Sequence, residues 1–87
     1  MEEKEIILML AKRYLKLIGF NRDQSLRNKC LTIIDKINEL PEGKMNRWLG
    51  YILKCVIDLK LTTYEKEFRF EKINISYGPN NNEEDEK

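Results

Sequence analysis

Between Ile7 and Leu59 apolar side chains return every three or four residues, and Gly19 and the run Pro41-Glu42-Gly43 cut that rhythm into three segments. A repeat near 3.6 residues marks a helix with one apolar stripe, whereas a half-buried strand alternates with period two. Three amphipathic helices joined by short connections leave few folds open. The chain is predicted to be all-α, a small bundle of three main helices over about residues 2–18, 23–40 and 43–60. With 87 residues, 41% of them hydrophobic, it holds one modest core. A domain of this size buries only about 60% of the surface its unfolded chain exposes, so self-association is expected to add burial.

The ends of the helices are written in the sequence as well. In the first, Ile7, Leu10, Ala11, Tyr14, Leu17 and Ile18 form the stripe, with Glu2, Glu3 and Glu5 at the start and Lys12, Arg13 and Lys16 toward the end. That order of charges complements the helix dipole. Gly19 is placed to end the helix at positive φ, with Phe20 packing back on Leu15 in a Schellman stop. Ile6, Leu8, Met9 and Leu15 widen the stripe beyond one face, which predicts a second contact surface. The second helix takes Asn21 or Asp23 as its N-cap. Its stripe is Leu26, Cys30, Ile33, Ile34, Ile37 and Leu40, and it stops where Pro41 disfavours helical geometry at Leu40. Pro41 then serves as the first residue of the third helix. There Met45, Trp48, Leu49, Ile52, Val56 and Leu59 face the core, and Lys44, Arg47, Tyr51, Lys54 and Asp58 lie opposite.

Beyond Leu61, Thr62-Thr63-Tyr64-Glu65 suggests a capping box opening a short helix to about residue 70. Phe68, Phe70, Ile73, Ile75 and Tyr77 alternate with polar residues, which favours an extended segment after it. Residues 1–77 are expected to form a single helical domain. Residues 78–87, rich in Asn and acidic side chains, have nothing to bury and are expected to be a disordered tail.

Composition excludes several kinds of chemistry. Without histidine there is no Ser-His or Cys-His nucleophilic pair and no histidine metal site. Cys30 and Cys55 fall on or beside apolar stripes and read as free thiols packed as small hydrophobes, with no catalytic role and no metal. Glu65, Glu67 and Glu71 interleave with Lys66, Arg69 and Lys72 as a solvated face of helical ion pairs. The sequence shows no glycine-rich phosphate loop and no apolar run long enough for a bilayer span, and the acidic start Glu2-Glu3 is not expected to act as a signal peptide. The chain is expected to be no enzyme, to need no cofactor, and to work in a reducing cytoplasm.

Charge is where the sequence points outward. Sixteen Lys and Arg stand against fifteen Asp and Glu, but the near balance hides a basic middle and an acidic end. Residues 12–54 carry ten basic and four acidic side chains, while residues 83–87 carry a net −3. Lys44, Arg47, Tyr51 and Lys54 follow at i, i+3, i+7 and i+10 and so project the same way. Cations fork onto or neutralise phosphate oxygens and an aromatic ring stacks on a base, so these four are the candidate ligand-binding residues. A plain solvated face with an amphipathic tyrosine is the competing account. Gly50 costs about 1 kcal/mol in a helix interior and calls for a close neighbour, which a second subunit would supply. Gly50, Leu53 and Ile57, with Trp48 as core anchor or exposed hot spot, are the candidate interface.

The segment Leu40-Pro41-Glu42-Gly43-Lys44 resembles the helical-hairpin connection of small bacteriophage proteins that counter host immunity. Those proteins are sponges, oligomers that sequester the cyclic-nucleotide or ADP-ribose signals of CBASS and Thoeris defence. The following Met45-Asn46-Arg47-Trp48-Leu49-Gly50-Tyr51-Ile52 looks like a segment common in small phage proteins. The resemblance spans residues 37–57. It implies a helical hairpin, a homo-oligomer, action in the host cytoplasm, and a nucleotide site on Lys44, Arg47 and Tyr51. Heavy use of Lys, Asn, Ile and Glu, with a single Ala, suits a phage or AT-rich bacterial source.

Three functions follow as expectations. The first is stoichiometric capture of a nucleotide immune signal, a cyclic oligonucleotide or an ADP-ribose derivative. The second is a protein-interaction module that inhibits or recruits a host protein through Trp48, Tyr64 or Phe68 or through the acidic tail. The third is DNA binding by a helix-turn-helix variant, disfavoured by the near-neutral charge because phosphate contacts dominate DNA affinity.

Overall fold

A computed structural model describes residues 2–20 and 23–75 as four helices: α1 (Glu3–Ile18), α2 (Gln24–Asp35), α3 (Glu42–Asp58) and α4 (Tyr64–Asn74). No strand occurs among the described residues. The all-α bundle expected from the periodicity is the fold. Asn21, the expected end of the domain at residues 76–77 and the acidic tail at 78–87 lie outside the described residues.

α1 is the central element and packs against both α2 and α3. Its stripe residues Ile7, Ala11, Tyr14 and Ile18 are buried and meet Leu26, Cys30 and Ile33 of α2 and Met45, Leu49, Ile52 and Val56 of α3 in one core. Part of the width of the α1 stripe has its cause inside the chain: Leu10, Leu15 and Leu17 pack against that core, because two helices rather than one lean on α1. Ile6, Leu8 and Met9 are half-buried without joining it.

Local chemistry sets the boundaries. The Glu5 carboxylate accepts from the Glu2 backbone N–H at 2.9 Å at the start of α1. At its end Gly19 takes φ 72°, ψ −169°, a region essentially closed to residues with a Cβ. That is not the left-handed helical geometry of a Schellman stop, and Phe20 does not fold back: its ring is 76% exposed and carries the Arg27 guanidinium at 4.1 Å. Asp23 caps α2, its Oδ1 accepting from the Leu26 N–H at 3.1 Å. Gln24 and Arg27 donate to the carbonyls of Phe20 and Gly19, fastening the α1–α2 corner.

α2 is shorter than expected. Lys36 leaves the helical basin at φ −111°, and a tight turn follows in which the Glu39 and Leu40 N–H groups both donate to the Lys36 carbonyl. Ile37 and Leu40 still pack against the core, so the apolar rhythm outlasts the helix. Pro41 is the N-cap of α3 rather than its first residue, with φ −62° and its carbonyl accepting from Met45.

The Schellman motif belongs to α3. The Leu61 N–H donates to the Val56 carbonyl and the Lys60 N–H to that of Ile57, with Lys60 at φ 63° and Leu61 packed against the core. Leu59, expected in the core, follows the end of the helix and is 46% exposed. At α4 the cap is Thr63, whose Oγ1 accepts from the Lys66 N–H, so the expected box between Thr62 and Glu65 does not form. The helix runs four residues past the expected end and absorbs Ile73 from the alternating pattern. Its C-cap, the buried Ile75, has extended backbone angles.

Candidate functional site

On α3 the four candidate ligand-binding side chains stand where the helical wheel puts them. Lys44, Arg47, Tyr51 and Lys54 are all exposed, on the side away from Met45, Leu49, Ile52 and Val56. None of the three cations has an ion pair among the described residues. The Tyr51 side chain hydrogen-bonds Cys55, which raises its pKa above the ordinary tyrosine value and keeps the phenol neutral. Asp58, also exposed, closes the strip toward the end of the helix.

Trp48 is half-buried and packs against the core from the edge of this strip. Its indole has the Lys44 ammonium at 5.3 Å and that of Lys29, from α2, at 5.5 Å, both within cation–π range. The candidate interface residues divide. Leu53 packs partly against the core and Ile57 is half-buried. Gly50 is exposed, and a Cβ built there meets nothing within 4 Å, so no neighbour among the described residues requires the glycine.

Of the two thiols, Cys30 is fully buried, and desolvation pushes its pKa up to about 11. Cys55 is half-buried. Among the described residues no three His, Cys, Asp or Glu side chains converge on a point that would hold a metal, and no helix is long and apolar enough to cross a membrane.

Glu67 departs from the expectation of a solvated carboxylate. It is 2% exposed and takes two hydrogen bonds from Arg13 of α1, Nε to Oε1 at 3.2 Å and NH2 to Oε2 at 3.0 Å. The buried Thr62 hydroxyl donates to the same carboxylate. Burial acts to raise the Glu67 pKa, but the bonds from Arg13 and Thr62 outweigh it and hold the group below the usual carboxylate range. The same bond raises the Arg13 pKa further. The Arg13 guanidinium also lies over the Phe70 ring at 4.6 Å. Nothing in the spacing of α4 singles out Glu67 from Glu65, which makes an exposed i,i+4 pair with Arg69 at 2.8 Å.

The second feature that the sequence did not single out is a concave basic surface along α1. One depression of about 250 Å³ is lined by Met9, Lys12, Arg13, Lys16 and Phe70. Another of about 440 Å³ is lined by Lys12, Leu15, Lys16, Gly19, Phe20 and Arg27. Lys12 and Lys16 border both, and among the described residues no carboxylate lines either. In the sequence these lysines read only as partners of the helix dipole. Compared with known proteins, the chain matches no protein family, no characterised protein and no solved structure.

Proposed function

We propose that the chain acts by capture rather than turnover, binding a phosphate-bearing nucleotide signal stoichiometrically, as a counter-defence sponge of a bacteriophage does. The observation that carries this reading is the α3 strip: three exposed cations without carboxylate partners among the described residues, with an exposed neutral tyrosine among them. Such a strip costs little in the free protein and releases bound counterions when it meets phosphates. It lies along one side of a single helix, so a second copy is needed to wall in a small ligand. Gly50, with open space above its Cα, and the half-buried Leu53 and Ile57 are the places where that copy would approach. Leu40 and Pro41 close the connection between α2 and α3, and Glu42, Gly43 and Lys44 form the first turn of α3, which suits the hairpin on which the sponge resemblance rests.

A thermal-shift screen against cyclic dinucleotides, cyclic trinucleotides and ADP-ribose tests the proposal. A ligand at a thousandfold its Kd stabilises by about 4 kcal/mol, and at roughly 4–8 °C per kcal/mol the shift is large for a domain this size. The shift should disappear in Lys44→Ala and Arg47→Ala. A flat screen, or a shift that survives both substitutions, removes the α3 site.

A second reading is favoured by α4, where Tyr64 and Phe68 are 63% and 64% exposed one turn apart. Paired exposed aromatics are what a protein interface uses as anchors. On that reading a partner protein docks on α4, and Phe68→Ala abolishes its recovery in a pulldown while leaving the nucleotide screen unchanged.

A further inference from the structure

Phe20 is an expensive residue to leave in water, and the core does not need it: its ring is 76% exposed at the α1–α2 corner. Arg27 lies over it at 4.1 Å, with its NH1 donating to the Gly19 carbonyl at 3.2 Å, so the guanidinium plane is held in place. The same arrangement recurs at the other depression, where Arg13 lies over Phe70 at 4.6 Å and is fixed by its two bonds to Glu67. Each depression therefore holds one Arg–Phe stack, a flat and pre-ordered platform of the kind on which nucleobases stack. Between the platforms, bordering both depressions, stand Lys12 and Lys16, exposed and with no ion pair among the described residues.

Aromatic platform, paired ammonium groups, aromatic platform is the complement of two bases joined through phosphate. We propose that this face of α1 is a binding site for a dinucleotide unit, one base in each depression and the linking phosphate on Lys12 and Lys16. Depressions of about 250 and 440 Å³ are open and shallow enough for a base apiece without rearrangement of the core. Arg13 contributes its plane more than its charge, because that charge is already committed to Glu67. The site uses none of the α3 strip, so it stands or falls separately from the function proposed above. Two sources carry the same chemistry, a free dinucleotide and two consecutive nucleotides of a single strand.

The test is calorimetric titration of the full chain with linear pApA, with AMP and with a twelve-residue oligoadenylate. The pApA ligand should bind at least tenfold more tightly than AMP. The Lys12→Ala/Lys16→Ala double variant should lose that affinity at least tenfold, and Phe20→Ala should bring pApA down to the level of AMP by removing one platform. These side chains are exposed, so the helical circular-dichroism spectrum should be unchanged. An oligoadenylate no tighter than pApA identifies a free dinucleotide as the ligand, and one more than tenfold tighter identifies a strand; either supports the site. AMP binding as well as pApA, indifference to Phe20→Ala, absence of any binding, or loss of pApA only in Lys44→Ala/Arg47→Ala each overturns it.

Discussion

Glu67 and Arg13 are unequal partners, and the inequality decides what each substitution costs. The carboxylate is 2% exposed while the guanidinium keeps 27% of its surface in water. Arg13→Ala strands a buried charge, for which about 3 kcal/mol is the order expected. Glu67→Gln keeps the shape and a bond to Thr62 and leaves Arg13 partly hydrated, so about 1 kcal/mol is expected from the lost charge-assisted bonds. The pH dependence has opposite signs in the native chain and in Arg13→Ala. In the native chain the Glu67 pKa lies below the free value of about 4.3, so its stabilisation is complete above that value and fades as pH falls through the folded pKa. In Arg13→Ala the unpaired buried carboxylate titrates above the free value, and acid relieves it. Urea unfolding between pH 6 and 3 should therefore show the gap between native chain and Arg13→Ala narrowing with acid. A constant gap would mean that Glu67 is not charged in the fold. Lys60 makes a second residue-scale case. It holds φ 63° at the Schellman position, where a side chain costs roughly 1–2 kcal/mol relative to glycine. After glycine's greater freedom in the unfolded chain is subtracted, Lys60→Gly should still raise the unfolding midpoint by a few degrees in a calorimetric scan.

At the scale of elements, α4 is attached differently from the rest. Within its span only Glu67 is buried, and the helix is held by that carboxylate, by Phe70 under Arg13 and by the buried Ile75 that follows. A helix held by few apolar contacts opens locally before the whole domain does. Amide exchange in α4 should be at least tenfold faster than in α1, a gap of about 1.4 kcal/mol in opening free energy. Arg13→Ala should widen that gap while leaving α3 protection in step with global stability. Equal protection of α1 and α4 would show that the ion pair binds α4 as firmly as the core binds α3. The same contrast explains what the sequence discloses. In α1, α2 and α3 the stripe residues do the packing, so Ile7, Ala11, Leu26, Ile33, Met45, Leu49 and Ile52 are legible from their spacing. Apolar rhythm does not report hydrogen bonding, which is why it runs past the end of α2 to Leu40. It also misleads in α4, where a polar side chain makes the principal contact and Phe68 and Ile73 stay largely in water. The Schellman stop went to Lys60 and not Gly19 because residue type permits a left-handed turn but the Leu61 contact with the core selects it. The α3 strip was readable as a helical face. The depressions along α1 were not, since they need Phe70 and Arg27 brought to α1 from distant parts of the chain.

For the whole molecule the open matter is whether one chain is enough. Of the apolar excess of α1, Leu15 packs against the core, while Ile6, Leu8 and Met9 stay half-buried and do not join it. The other candidate surface is the α3 side marked by Gly50, and there the monomer and the oligomer make opposite demands. In a monomer Gly50 is a defect: it sits in a helix interior, exposed, and an added Cβ meets nothing within 4 Å. Gly50→Ala should then stabilise by up to about 1 kcal/mol through helix propensity and lower unfolded-state entropy. Where a second α3 packs across Gly50, the glycine is what permits the close approach, and a larger residue separates the helices. Gly50→Arg tests this without harm to the monomer, because the long side chain has open space at its root. Sedimentation equilibrium of the native chain and Gly50→Arg, with thermal scans of Gly50→Ala at two protein concentrations, separates the cases. An assembly that dissociates in Gly50→Arg, together with a concentration-dependent midpoint that Gly50→Ala lowers, places the interface on α3, where facing Lys44, Arg47 and Lys54 would pool their charge around one ligand. A monomer that Gly50→Ala stabilises at every concentration means that a single α3 strip has no second wall, and the capture of a small nucleotide then has to be sought in the depressions beside Lys12 and Lys16.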